Sequence, residues 1–84
     1  MPSDTGLTQW IEVDGAIHSI NAPCREMKVD VGGTLEQFDI GAQCSVWLHG
    51  ERVKLRILQA ADPVHISYVI HNGGCLAMQI RVRE

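Results

Sequence analysis

From residue 43 onward, apolar side chains fall at every second position: Cys44, Val46, Leu48; Val53, Leu55, Ile57; Val64, Ile66, Tyr68, Ile70; Leu76, Met78, Ile80, Val82. Alternation with a period of two marks half-buried antiparallel strands, one face in a core and the other outside. The requirement that apolar positions face each other then sets the turns. A two-residue turn at His49-Gly50 places Val46 opposite Val53, Cys44 opposite Leu55, and Trp47 opposite Arg52. At the last hairpin, a two-residue turn at Asn72-Gly73 would set Ile66 against Gln79. A three-residue loop, Asn72-Gly73-Gly74, pairs Ile70 with Leu76, Tyr68 with Met78 and Ile66 with Ile80, so the longer loop is expected.

The first half reads less cleanly. Thr8–Val13 and Ala16–Ile20 flank Asp14-Gly15, a dipeptide suited to a tight hairpin turn. Asn21-Ala22-Pro23 interrupts the pattern, since proline cannot sit in a central strand. Met27, Val29 and Val31 alternate through Glu26–Val31. A four-residue loop from Gly32 to Leu35 pairs Val29 with Phe38 and Met27 with Ile40. It is preferred to a tight Gly32-Gly33 turn, which would set Val29 against Glu36 and Asp30 against Leu35. Gly41-Ala42 is expected to turn the chain again. No stretch of ten residues shows helical spacing. The pattern predicts an all-β fold: a small antiparallel meander barrel or two-layer sandwich of about seven or eight short strands. It would be a single domain over residues 1–84, with 1–6 as a flexible lead-in.

Composition narrows the picture. A chain of 84 residues hides only roughly 60–65% of its unfolded surface, so the core is thin. With Trp10, Trp47, Phe38 and Tyr68 as its aromatics, that core rests on Val, Ile, Leu and Met. The net charge of −3 argues against strong non-specific affinity for nucleic acid or anionic membranes. The charge is unevenly spread. Residues 1–48 carry seven acids against Arg25 and Lys28, and residues 49–84 carry five bases against Glu51, Asp62 and Glu84. An odd count of three cysteines suits a reducing compartment, and no apolar run has the roughly 18 residues of a membrane span, so a cytoplasmic protein is expected.

Little catalytic or metal chemistry is spelled out. Cys44-x4-His49 and His71-x3-Cys75 invite a zinc reading, with His71 and Cys75 able to face each other across the last strand pair. No C-x2-C pair anchors such a site, and Cys44 reads as a small buried hydrophobe. A thiol nucleophile at Cys24, Cys44 or Cys75 has no base beside it except His71 next to Cys75, on an exposed hairpin tip with no pocket. Neither an enzyme, a metal centre nor a cofactor is therefore expected. The outer face of strands 43–48, 51–59, 64–70 and 76–82 is more informative. It carries Trp47, Arg52, Lys54, Arg56, His65, Arg81 and Arg83, with His65 opposite Arg81 and with Leu58, Val69 and Ala77 among them. Apolar groups set among charges suggest a protein interface or self-association, with Trp47 and Arg52 as anchors. The acidic and basic halves could meet head to tail between copies. Two alternatives remain: RNA or single-stranded nucleic acid on the same basic face, or a zinc-stabilised structural module.

Two short stretches resemble known families. Val31-Gly32-Gly33-Thr34-Leu35, Ile40-Gly41 and Val53-Lys54-Leu55 resemble the opening of the carbon storage regulator family, which would imply RNA binding. Where that family continues with an Ala-Pro turn and Val-x-Arg-Glu, this chain has Ala60-Ala61-Asp62-Pro63-Val64-His65-Ile66-Ser67. Ala77-Met78-Gln79-Ile80 is similar to the Ala-Met-Lys-Met of biotin carrier domains, but Gln79 stands at the acceptor lysine and glutamine cannot be biotinylated. Neither resemblance assigns a family.

Overall fold

The structure, a computed structural model, describes residues 10–83. The expected lead-in at residues 1–6 and the start of the first expected strand at Thr8 lie outside the described residues. The strands are β1 (Ile11–Asn21), β2 (Glu26–Val31), β3 (Thr34–Leu48), β4 (Glu51–Val53), β5 (Pro63–His71) and β6 (Gly74–Val82), with a 3-10 turn at Leu55–Ile57. They pair in the order β2-β1-β5-β6-β3-β4, and a further β2–β3 pairing closes five of them into a barrel with β4 as an extra strand. Closure removes the sheet edges that a thin open sheet would expose. The fold is all-β, as the alternation requires, and the barrel is the form realised.

Three features depart from the expected layout, each for a local reason. First, six strands stand among the described residues where seven or eight are expected, because β1 and β3 each run through a supposed turn. The strand expected over 51–59 also shortens to β4 followed by the 3-10 turn. Gly15 does not have a positive φ, so Asp14-Gly15 is not a tight turn. Glycine is needed because β2 crosses so closely that a Cβ on residue 15 would lie 2.6 Å from the Asp30 carbonyl oxygen. At Gly41 the chain bends within β3, and the β3–β6 register shifts between Ile40 and Ser45.

Second, β3 and β6 run parallel, against an otherwise antiparallel sheet. Barrel closure requires it: a ring of five strands cannot alternate in direction all the way round, and the long path through β4 and β5 lets β3 and β6 form the parallel pair.

Third, two turns are tighter than the pairing argument demands. Val31 pairs with Thr34 across Gly32-Gly33, whose φ angles of 61° and 92° fit a two-residue turn. Asp30 Oδ1 accepts a hydrogen bond from the Gly33 amide at 2.8 Å. The last hairpin turns on Asn72-Gly73 with φ of 53° and 79°. Its strands first pair Ile70 with Cys75 and Tyr68 with Ala77. A bulge at Met78 then restores Ile66 to Ile80, so the apolar match is recovered inside the strand rather than at the turn. The His49-Gly50 turn is as expected, with Val46 opposite Val53 and Trp47 opposite Arg52.

The core is the inward face of the barrel. Phe38, Ile17, Met27, Ile66, Ile80, Val29 and Val64 are its largest fully buried side chains, each worth about 1.5–3 kcal/mol of burial. Phe38 meets Tyr68 edge to face, with ring centroids 5.1 Å apart. Arg25 fastens the β1–β2 turn to the bend of β3: its Nε donates to the Ile40 carbonyl at 3.1 Å and its Nη2 to that of Gly41 at 2.7 Å.

Candidate functional site

Strand register assembles two regions of chemical interest, one outside the barrel and one at its end. On the outside, Arg52, Trp47, Arg81, His65 and Asp14 are successive register partners across β4, β3, β6, β5 and β1. This is the row that the alternation places on one face, extended by an acidic residue from the first half of the chain. Trp47 Nε1 donates to Ser45 Oγ at 3.1 Å, which holds the indole along its own strand.

The row differs from a basic binding face in three ways. Lys54 and Arg56 are exposed but lie off it, because β4 ends at Val53 and the 3-10 turn begins at Leu55. Leu58, Val69 and Ala77 are buried (4%, 7% and 0% exposed), so no apolar patch accompanies the charges. The acidic and basic halves of the chain meet within one molecule. His65 Nδ1 lies 2.7 Å from Asp14 Oδ1, His65 Nε2 lies 2.6 Å from Glu12 Oε1, and Arg83 Nη1 lies 3.8 Å from the same Asp14 oxygen. Ionised carboxylates only accept hydrogen bonds, so His65 can donate to both of them only as an imidazolium. The hydrogen bond to Asp14, then that to Glu12, raises the His65 pKa above its ordinary 6.5. The same bond lowers that of Asp14. The two carboxylates grip opposite sides of the ring, so they cannot share one metal ion with it.

The second region is the barrel end that carries the β2–β3 and β5–β6 turns. The tight Gly32-Gly33 turn sets Glu36 opposite Val29, a fully buried core residue, yet Glu36 is itself exposed. Glu36 thus occupies an inward register just beyond the core. Cys75 pairs with Phe38 on one side and Ile70 on the other, and Tyr68 packs on Phe38. Burial and then the charges of Glu36 and Asp39 push the Cys75 thiol above its usual pKa. Burial, followed by Cys75 and Glu36, does the same to the Tyr68 phenol. The Asp39 carboxylate lies on the outer face of the same strand pair, opposite Leu76 and with Oδ2 4.0 Å from the position a Cβ would take on Gly74, and reaches Cys75 only through its charge. A half-buried thiol, a phenol and the Glu36 carboxylate therefore share one mouth of the barrel.

Other expected groupings are not formed. His71 pairs with Gly74 rather than with Cys75, which separates the supposed zinc or nucleophile pair. Cys44 is pushed up to about 11 by burial, as befits a packed and unreactive thiol. Among the described residues, no three His, Cys, Asp or Glu side chains converge as a ready metal cluster. Pairing by apolar match points away from the mouth, because the register that creates it opposes a carboxylate to a valine. The available signal is the Gly32-Gly33 dipeptide itself, which favours the tight turn.

No protein-family model matches the sequence, and no curated protein does. The fold, however, is shared with solved structures. Apo-CusF from Escherichia coli superposes with a TM-score of 0.75 at 14% identity, covering 100% of this chain and 99% of that one. CusF with Ag(I), from the same organism, gives 0.75 at 15% identity over 95% of this chain and 99% of the other. A tryptophan-to-alanine variant of CusF with Cu(II) gives 0.70 at 15% identity, covering both chains fully.

These neighbours correct several expectations. Two of these solved structures carry Ag(I) or Cu(II), so the likeness points to metal and away from the expected association with a protein, with further copies or with nucleic acid. The buried Leu58, Val69 and Ala77 and the internal neutralisation of His65 and Arg83 give the physical reason. The cytoplasmic expectation is withdrawn as well: it rested on the odd cysteine count, and free thiols in a small barrel that shares the CusF fold mark no compartment.

Proposed function

We propose that this chain is a non-enzymatic metal-ion-binding barrel that takes a thiophilic ion such as Cu(I) or Ag(I) at the mouth bearing Cys75. The observation that carries the reading is the placement of Cys75 at the barrel end, within reach of the charges of Glu36 and Asp39. The likeness of the whole fold to CusF structures holding Ag(I) and Cu(II) supports it. Thiolate is a soft ligand that favours Cu(I). A d10 monovalent ion is satisfied by few protein donors, which suits a mouth without a cluster of three. Cys75 would supply the thiolate, and Glu36 and Asp39 would offset the positive charge. Tyr68 and Phe38 close the inner side with aromatic surface.

The raised thiol pKa has a direct consequence. The ion must displace the Cys75 proton, so affinity rises by roughly tenfold per pH unit while the thiol is protonated. Competition against a coloured Cu(I) chelator, run with wild type, Cys75→Ser and Cys24→Ser, tests the site. One bound ion is expected, weakened by roughly tenfold or more in Cys75→Ser and unchanged in Cys24→Ser. Equal binding by wild type and Cys75→Ser, or no binding of Cu(I) or Ag(I) at all, would refute the reading.

A further inference from the structure

Among the described residues, the first half of β1 is held along one edge only. Ile11–Ala16 pair with β5, whereas β2 joins β1 from Ala16 onward. Strand segments with ladder hydrogen bonds on a single side open at lower cost than those paired on both. This segment also borders the mouth, because Ile11 is the register partner of Tyr68. The side chains that tie it to the neighbouring strand are Glu12 and Asp14, closing on the two nitrogens of His65.

We propose that Glu12, His65 and Asp14 form a proton-controlled latch, which holds the first half of β1 against β5 while the imidazole is charged and releases it when the imidazole is neutral. The groups facing His65 are Glu12 and Asp14 from β1, and Arg81 and Arg83 from β6. Within β5 the residues on its own face are Pro63 and Ser67, neither of them titratable in this range. With the proton present, each carboxylate receives an N–H. Without it, one ring nitrogen presents a lone pair to a carboxylate at 2.6 or 2.7 Å, acceptor against acceptor. Glu12 and Asp14, two residues apart on one face of β1, also lose the cation between them. Arg83 remains near Asp14 but is not paired with Glu12, so the Glu12 end lets go first.

The sign follows from linkage. The folded-state pKa of His65 is raised, so the latch is complete below the ordinary imidazole value of about 6.5 and is lost as pH rises through the raised folded value. The Asp14 pKa is lowered, so its half is lost only as pH falls through that lowered value. The latch therefore operates between these limits. All three groups are at least a quarter exposed (25%, 62% and 55% for His65, Glu12 and Asp14), so solvent screens it and its effect is local rather than global.

Amide hydrogen exchange followed by NMR between pH 5 and 9, expressed as protection relative to intrinsic rates, tests the latch in the full chain without metal. Protection at Ile11–Ala16 is expected to fall by roughly three- to tenfold as pH rises through the His65 midpoint, while β3 and β6 keep theirs. The midpoint, read from the imidazole C–H shifts, should lie above 6.5 and move down in Glu12→Gln. The pH dependence at Ile11–Ala16 should vanish in His65→Asn. Protection there that ignores pH in the wild type, or that changes identically in His65→Asn, overturns the proposal. Because no metal enters the experiment, its failure leaves the reading of Cys75 untouched.

Discussion

Gly15→Ala should weaken the fold, although Gly-to-Ala within a strand ordinarily helps. An alanine Cβ at this position would sit 2.6 Å from the Asp30 carbonyl oxygen, 2.7 Å from Val29 Cγ1 and 3.2 Å from Val31 Cγ2. Val29 is wholly buried and β2 is paired to both β1 and β3, so the oxygen has nowhere to retreat. Overpacking of this kind costs about 1–3 kcal/mol. Reduced freedom of the unfolded chain returns about 0.4–1 kcal/mol. The net loss is about 1–2 kcal/mol, against a total stability of about 4–13 kcal/mol for a chain this size. Urea unfolding followed by tryptophan fluorescence should show a lower midpoint with an unchanged slope, and the melting temperature should fall by roughly 5–15 °C. Gly41→Ala is the control: its nearest contact is the Ala77 carbonyl oxygen at 3.4 Å, so it should stay within about 0.5 kcal/mol of wild type. Gly15→Asn separates the two readings of this glycine. Asparagine suits a turn at positive φ but is larger than alanine, so in a close strand crossing it must be the worse substitution. A Gly15→Ala protein as stable as wild type, or a Gly15→Asn protein more stable than Gly15→Ala, would refute the reasoning.

Two further outcomes follow from burial. Phe38→Ala removes the ring that fills the barrel against Tyr68 and Met27 and should cost about 3–5 kcal/mol, measured by the same unfolding assay; a loss under 1 kcal/mol would mean that the core lies elsewhere. Alkylation with iodoacetamide near neutral pH, followed by mass spectrometry, should label exposed Cys24 well before Cys44, whose thiol is pushed up to about 11. Labelling of Cys44 first would contradict its burial.

The candidate site was only half legible in the chain. Trp47 opposite Arg52 and His65 opposite Arg81 follow from period two and the spacing of the turns. The acids that complete that row do not, since Glu12 and Asp14 lie 53 and 51 residues from His65. The mouth is obscured further, because matching apolar partners favours the wrong loop length at Gly32-Gly33. A carboxylate opposite a valine is poor pairing in the middle of a sheet. It costs little where the ladder runs past the end of the core, and only the closed barrel shows where that end lies.

Alternation along the chain was enough to specify most strands, inward residues such as Val46, Ile66 and Ile80, and the His49-Gly50 turn, because side-chain direction in a strand is a local property. It set Ile57 and Ile70 inward, which are exposed, and Ala77 outward, which is buried. Whether Asp14-Gly15 turns or continues, which strand lies parallel to β3, and whether Leu58, Val69 and Ala77 meet water were decided by closure. Those outcomes depend on which distant strand supplies the missing hydrogen bonds and how closely it passes, as at Gly15, where the Asp30 carbonyl leaves no room for a Cβ. The chemistry followed closure too: barrel pairing brings Cys75 within reach of the charges of Glu36 and Asp39, and Glu12 and Asp14 onto His65.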